Sequence, residues 1–264
     1  MFKLIDASDK ERLFLIGDIH GRYDLLMEFI KWSKLGDKDL LVSVGDLIDR
    51  GEQNVEVLTH FLFADNCDAV MGNHDQLMFQ SLVENNREAD VTWLWNGGSW
   101  ALDENLNFLK GLALHVGQLP VFLDIKFGDT QIGVTHAEFP FPSREKMLDA
   151  REVNFHVRNS VVDEEILEHM IDLAKVEKLA LWGRRQVKNK TGSPILGYDF
   201  VVHGHTPTQT QIDEPVPIQK ANQHWIDTGS CFGDGRQTIM EIKKDGTFQY
   251  HQFWFDEHGE LCIV

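Results

Sequence analysis

Short apolar runs, each broken off by a cluster of polar residues, organise the first eighty positions. Leu13-Phe14-Leu15-Ile16 ends in Gly17-Asp18-Ile19-His20-Gly21, and Leu40-Leu41-Val42-Ser43-Val44 ends in Gly45-Asp46-Leu47-Ile48-Asp49-Arg50-Gly51. Ala69-Val70-Met71 ends in Gly72-Asn73-His74-Asp75. Apolar runs of this length fit buried strands. Between them, Tyr23 to Lys34 places Leu25, Leu26, Phe29 and Ile30 at helical spacing, and Asn54 to Phe63 does so with Val55, Leu58, Phe61 and Leu62. The alternation predicts βαβ units and a mostly parallel sheet. Ligands of such sheets gather beyond the carboxyl ends of the strands. All three polar clusters fall there.

Further along, Asp75 to Val83 reads as a helix, and the Gly pair in Trp93-Leu94-Trp95-Asn96-Gly97-Gly98-Ser99-Trp100 as a break, with Ser99 opening a helix to Lys110. Val121 to Lys126 and Ile132 to Thr135 read as strands, the second delivering His136. Ser143 to Leu181 is helical in pattern, with Ile166, Leu167, Met170, Ile171 and Ala174 on one face. Tyr198 to Val202 is a strand that delivers His203-Gly204-His205. Asp234-Gly235 and Asp245-Gly246 are hairpin signals between β-rich runs such as Gln237 to Ile242 and Thr247 to Phe255. No linker or low-complexity stretch interrupts residues 1–264, so a single two-layered α/β sandwich is expected.

Composition narrows the function. The 264 residues are 42% hydrophobic and 25% charged, which excludes disorder as a description of the whole chain. A formal net charge of −17 repels polyphosphate backbones, so a general nucleic-acid binder or a nuclease is disfavoured. Cys67, Cys231 and Cys262 are odd in number and form no C-x-x-C, so neither a disulfide framework nor a thiolate zinc site is expected. No secretory signal or apolar run long enough to span a bilayer is visible, and the expected location is the cytoplasm, without a membrane partner.

Any one of the polar clusters could be a helix cap or a turn. Together they exceed what capping needs. They supply Asp18, His20, Asp46, Asp49, Asn73, His74 and Asp75, with His136 and His205 from later strand ends. Carboxylate, amide oxygen and imidazole suit a divalent ion such as Mn²⁺, Fe²⁺ or Zn²⁺. A shared carboxylate would hold two such ions about 3.5–4 Å apart, as phosphoryl displacement requires. Arg50 adds a fork for phosphate oxygens.

Gly-Asp-Ile-His-Gly, Gly-Asp-Leu-Ile-Asp-Arg-Gly and Gly-Asn-His-Asp resemble the three signatures of the phosphoprotein phosphatase family of Ser/Thr phosphatases, and their spacing matches. The branch of the bacteriophage lambda protein phosphatase and its bacterial relatives is most similar. It shares Asn96-Gly97-Gly98-x-Trp100, Thr135-His136-Ala137, Leu181-Trp182-Gly183-Arg184, Gly204-His205-Thr206-Pro207, Ala221-Asn222-Gln223 and Ile226-Asp227-Thr228-Gly229. The resemblance implies a calcineurin-like metallophosphoesterase β-sandwich of two mixed sheets flanked by helices. The helical insert near 143–181 is longer than its counterpart in the lambda enzyme; it enters just after His136 and leaves just before Arg184, so both of its ends are expected to touch the site. The resemblance implies two divalent ions, manganese first, with iron, zinc or nickel as options.

By the same resemblance Asp18, His20 and Asp46 bind one ion, and Asp46, Asn73, His136 and His205 the other. A hydroxide shared by the ions attacks phosphorus in line. Arg50 and Arg184 grip the phosphoryl oxygens together with Asn73 and His74, and His74, oriented by Asp49, protonates the leaving oxygen. Arg185 competes with Arg184 for its role, and His203 is a neighbour of His205. Asp75 is expected to support its loop. His60, His115, His156, His169, His224, His251 and His258 lie in no motif and are expected on the surface or in ordinary core. Trp93, Trp95 and Trp100 are expected mainly in the core, with a substrate groove as the alternative. The expected activity is hydrolysis of phosphomonoesters on phosphoproteins. The rivals are a symmetrical dinucleoside-tetraphosphate hydrolase and a non-catalytic adaptor on the same fold.

Overall fold

The computed structural model describes residues 1–159 and 164–264. Two six-stranded sheets face each other. The first carries β2 (Arg12–Ile16), β3 (Asp39–Ser43), β4 (Cys67–Ala69), β10 (Gln237–Ile242), β11 (Phe248–Phe255) and β12 (Leu261–Ile263), in the order β12-β11-β10-β2-β3-β4. The second carries β1 (Phe2–Asp6), β5 (Phe122–Phe127), β6 (Thr130–Thr135), β7 (Phe200–His203), β8 (Ile218–Lys220) and β9 (Gln223–Trp225), in the order β1-β5-β6-β7-β9-β8.

The uninterrupted apolar runs are explained by burial on both faces. Leu13 and Leu15 of β2, with Leu40 and Val42 of β3, point between the sheets and meet Leu123, Ile125, Val134 and Val202. Phe14, Ile16 and Leu41 point outward. There they meet Leu25, Leu26 and Phe29 of α1 (Tyr23–Ser33), Val57, Leu58 and Phe61 of α2 (Asn54–Phe63), and Leu77 and Met78 of α3 (Asn73–Leu82). Each sheet is covered by helices on its outer side, which is the sandwich of two mixed sheets flanked by helices that the resemblance implies.

The β2-β3-β4 core is parallel, as the βαβ pattern predicts, and so are β6-β7-β9. The expectation of a mostly parallel sheet is nevertheless too simple. β10 and β11, joined at the Asp245-Gly246 turn, add antiparallel to β2, and β5 pairs antiparallel with β6. Asp234-Gly235 makes no hairpin between strands; it turns a loop that closes where Gly229 pairs with Arg236.

The helix expected from Ser99 to Lys110 is divided. A 3₁₀ turn covers Gly98–Asp103, and α5 (Leu106–Val116) starts afresh at Asn105, whose side chain accepts from the Asn107 and Phe108 amides. The aromatic segment before it belongs to α4 (Arg87–Trp95), capped by Asn86. α6 (Arg144–Asn159) and α7 (Glu164–Trp182) pack on the outer face of the second sheet, where Met147, Ala180 and Leu181 join Phe139, Phe141 and Val201. Two short helices, α8 (Arg185–Lys188) and α9 (Gln209–Ile212), follow. Among the described residues no helix is long and apolar enough to cross a membrane.

Candidate active site

Six strand ends converge. The first sheet delivers Asp18 and His20 after β2, Asp46 after β3 and Asn73 after β4, and the second delivers His136 after β6, His205 after β7 and Asp227 after β9. All seven are buried. The common point is Oδ2 of Asp46, which lies 3.6 Å from Nε2 of His20, 3.4 Å from Nε2 of His136 and 3.9 Å from Nε2 of His74. Two groups of donor atoms within 4.8 Å of one another share this aspartate: His20-Asp46-His74 and Asp46-His136-His205.

The ring orientations are set from behind. Nδ1 of His20 donates to the Ile48 carbonyl and Nδ1 of His136 to the Val44 carbonyl, each at 2.8 Å, which leaves both Nε2 lone pairs facing Asp46. Oδ1 of Asn73 stands 3.0 Å from that His136 nitrogen and 2.8 Å from Nδ1 of His205. Lone pairs of an amide oxygen, a carboxylate and the His136 imidazole thus point at one another. A divalent cation satisfies that set, so the donor chemistry fits a metal centre.

Electrostatics say the same. Burial raises the Asp18 carboxyl well above its ordinary range, and the charges of Asp227 and Asp46 add to the effect. Burial pushes Asp227 up to about 6. It acts alike on Asp46, but His136, His74 and His20 overcome it and hold this carboxyl well below the usual range. Burial also lowers His20 to about 3 and His205 to about 2, so both rings are neutral and available as ligands. Crowding and burial thus oppose ionisation of Asp18 and Asp227, a penalty that a bound cation would offset.

The loops are tied to one another through the same groups. Both oxygens of Asp18 accept from the His205 amide, at 3.0 and 3.2 Å, joining the two sheets. Oδ1 of Asp46 accepts from the His74 amide at 2.9 Å. Asp75 accepts from the amides of Gly72 (2.8 Å) and Leu47 (3.1 Å) and so supports both loops; burial and the Asp46 charge raise it to about 7. His20, Asp46, Asp49, Arg50 and His205 all have φ between 47° and 77°, a left-handed conformation that costs energy for residues with side chains.

On the rim, Nδ1 of His74 lies 2.6 Å from Oδ2 of Asp49, and its Nε2 faces the Arg50 guanidinium at 2.8 Å. Arg50 also reaches Nε2 of His20 at 2.5 Å. Nε of Arg184 donates to Nε2 of His205 at 3.1 Å, whereas Arg185 is turned toward Glu138 at 3.8 Å with its side chain in solvent. Of the two arginines, it is Arg184 that faces the cluster. His203 stacks on Trp225 with Nε2 3.1 Å from Gln223, outside the donor groups. Of the histidines outside motifs, His224 is buried against Tyr250 and His251 pairs with Glu241.

Sequence reasoning assigned no role to Asp227, although it follows β9 as Asp18 and Asp46 follow β2 and β3. It also missed that Trp93 and Trp100 donate their indole N–H groups to Asp49. Trp95, by contrast, is exposed.

The model of the calcineurin-like phosphoesterase family matches residues 11–209, which spans every cluster described above except Asp227. The chain belongs to this family. A calcineurin-like phosphoesterase centre holds two divalent ions, and the shared position of Asp46 suits that arrangement. Serine/threonine-protein phosphatase 1 of Salmonella typhimurium is 30% identical over 247 residues, covering 92% of this chain and 97% of the relative. An asymmetrical bis(5'-nucleosyl)-tetraphosphatase of Halalkalibacterium halodurans is 37% identical over 248 residues, covering 83% of this chain and 85% of the relative. A solved protein serine/threonine phosphatase from Saccharomyces cerevisiae shares the fold, with a TM-score of 0.57 and 14% identity over 100% of this chain and 82% of that one.

Proposed function

We propose that this phosphoesterase is a manganese-dependent phosphatase acting on phosphoserine and phosphothreonine in proteins, with a substrate range that extends to small aryl phosphates. The observation that carries the reading is the Asp49–His74 pair at 2.6 Å on the rim of the donor cluster. A serine or threonine alkoxide is a poor leaving group and must be protonated as it departs. His74, with Nδ1 held by Asp49, would present Nε2 to that oxygen once Arg50 turns from Nε2 to the phosphate, and Asp49 fixes the direction of the ring. The similarity to a phosphatase of this specificity over nearly its full length supports the same reading.

Asp18, His20 and Asp46 would hold one ion, and Asp46, Asn73, His136 and His205 the other. The ions, when bound, supply Lewis acidity and lower the pKa of water toward neutrality. Arg50 and Arg184, both exposed and both turned to the cluster, bind the phosphoryl oxygens and offset the charge that grows on them.

The 37% identical relative supports a second reading, hydrolysis of dinucleoside tetraphosphates. There the leaving group is a nucleotide phosphate, a stable anion that departs without a proton, and His74 would have no essential task. The test assays a phosphoserine peptide beside diadenosine tetraphosphate after chelation and Mn²⁺ add-back. Preferred turnover of the peptide, lowered by about two to four decades in His74→Asn with metal still bound, is the expected result. Preferred turnover of the dinucleotide would overturn it.

A further inference from the structure

We propose that Trp93 and Trp100 are positioning residues for proton delivery: their indole N–H groups clamp the Asp49 carboxylate, and through it they aim His74 at the departing oxygen. The inference rests on the reading of His74 as proton donor.

An aspartate that only orients an imidazole needs one accepting oxygen. Asp49 is wholly buried and has far more around it. Oδ2 accepts a hydrogen bond from His74 Nδ1, Nε1 of Trp93 stands 3.0 Å from both oxygens, and Nε1 of Trp100 stands 2.8 Å from Oδ1. The Asp49 amide is fixed as well, by Oδ1 of Asn54 at 2.7 Å. Among the described residues the only basic side chain paired with this carboxylate is His74. Its charge is therefore met by two neutral donors, which hold the carboxylate without neutralising it as an arginine would.

The two indoles come from different elements, the end of α4 and the 3₁₀ turn, and their planes meet at 89° with centroids 6.2 Å apart. Donors held on two elements, one reaching both oxygens and the other Oδ1, fix the carboxylate, and with it the direction of Nε2. The chain between them is shaped for close approach. Gly97 has φ +111°, and a Cβ there would stand 2.9 Å from the backbone nitrogen of Arg50, the residue after Asp49. The Asn96-Gly97-Gly98-x-Trp100 motif thus acquires a task. In the step served, a water oxygen bonds to phosphorus, the P–O bond to serine breaks with its electrons going to the serine oxygen, that oxygen takes a proton from His74 Nε2, and the protons of the water stay on the phosphate formed or pass to solvent, from which His74 regains its own.

The test uses leaving-group dependence, which a merely structural role would not move. Trp100→Phe keeps the ring and removes the donor. The kcat and KM are measured on a phosphoserine peptide and on 2,4-dinitrophenyl phosphate, whose leaving group departs without a proton, with metal content checked. We expect kcat on the peptide to fall about tenfold relative to kcat on the aryl ester, with peptide KM unaltered and no further change in the ratio when His74→Asn is also present. Trp93→Phe should give the same pattern. Equal proportional loss on both substrates, or no loss on the peptide, would overturn the clamp. If His74→Asn alone lowers both substrates equally, the proton-donor reading itself fails and the clamp falls with it. In the wild-type protein, the NMR signals of these two indole N–H groups should exchange slowly with solvent; rapid exchange of both would also overturn the proposal.

Discussion

Replacing Gly72 by alanine should dismantle the metal centre while sparing most of the fold. Gly72 ends the β4 loop against the β3 loop. A Cβ there would lie 2.1 Å from the amide nitrogen of Asp46 and 2.2 Å from its Oδ1. Ordinary contact needs about 3.5 Å, so the two loops must separate by more than about 1 Å. Neither can yield cheaply, because Asp75 holds both and the Asp46 side chain is bound to the His74 amide. The displaced atoms are those on which both donor groups depend. A misplacement of this size costs roughly a hundredfold in turnover, and overpacking costs about 1–3 kcal/mol of stability. The assay is metal content by elemental analysis after dialysis, alongside peptide phosphatase rate and thermal unfolding. A Gly72→Ala protein that retains two ions per chain and more than half of the wild-type rate would refute the reasoning.

Other outcomes follow from the same geometry. Arg184→Ala should lower kcat/KM on a phosphopeptide by roughly a hundredfold, and Arg185→Ala by less than about threefold, since only Arg184 faces the cluster. Chelation should abolish activity and lower the melting temperature, and Mn²⁺ should restore both, because the ions relieve repulsion among the buried Asp18, Asp46 and Asp227; a chelated protein with unchanged activity would contradict this. Away from the site, Asp39 is buried yet its carboxyl is held below the usual range, because the Arg12 guanidinium and the Gly36 amide outweigh burial. A depressed folded value stabilises above the unfolded pKa and is lost as pH falls through it. Asp39→Ala should therefore cost about 2–3 kcal/mol in urea unfolding at pH 7, with the difference from wild type shrinking below about pH 4.

The parts legible in the sequence share one property: the signal is local. Asp18, Asp46 and Asn73 each end an apolar run, and each run is apolar because both sides of its strand are covered, so the loop and its chemistry can be read together. His136 and His205 could be read for the same reason. Asp227 was passed over because β9 is three residues long and shows no period. The three-residue strands β8 and β12 lack a period for the same reason. Which of Arg184 and Arg185 turns inward depends on where α7 ends and α8 begins, a detail of backbone direction that composition does not encode. Trp93 and Trp100 were expected in the core, and Trp93 is buried; what no spacing rule reveals is where an indole N–H points. The division of the 98–116 region at Asn105 is a case of a cap outweighing a continuous apolar pattern.

The donor cluster straddles two sheets, with Asp18 and Asp46 on one and His136 and His205 on the other. A ribosome making this chain cannot release an active hydrolase early. Until residue 205 has left the exit tunnel and the second sheet has docked, the first three loops present an unfinished half of the cradle. A chain cut short of residue 205 therefore lacks a member of the donor cluster.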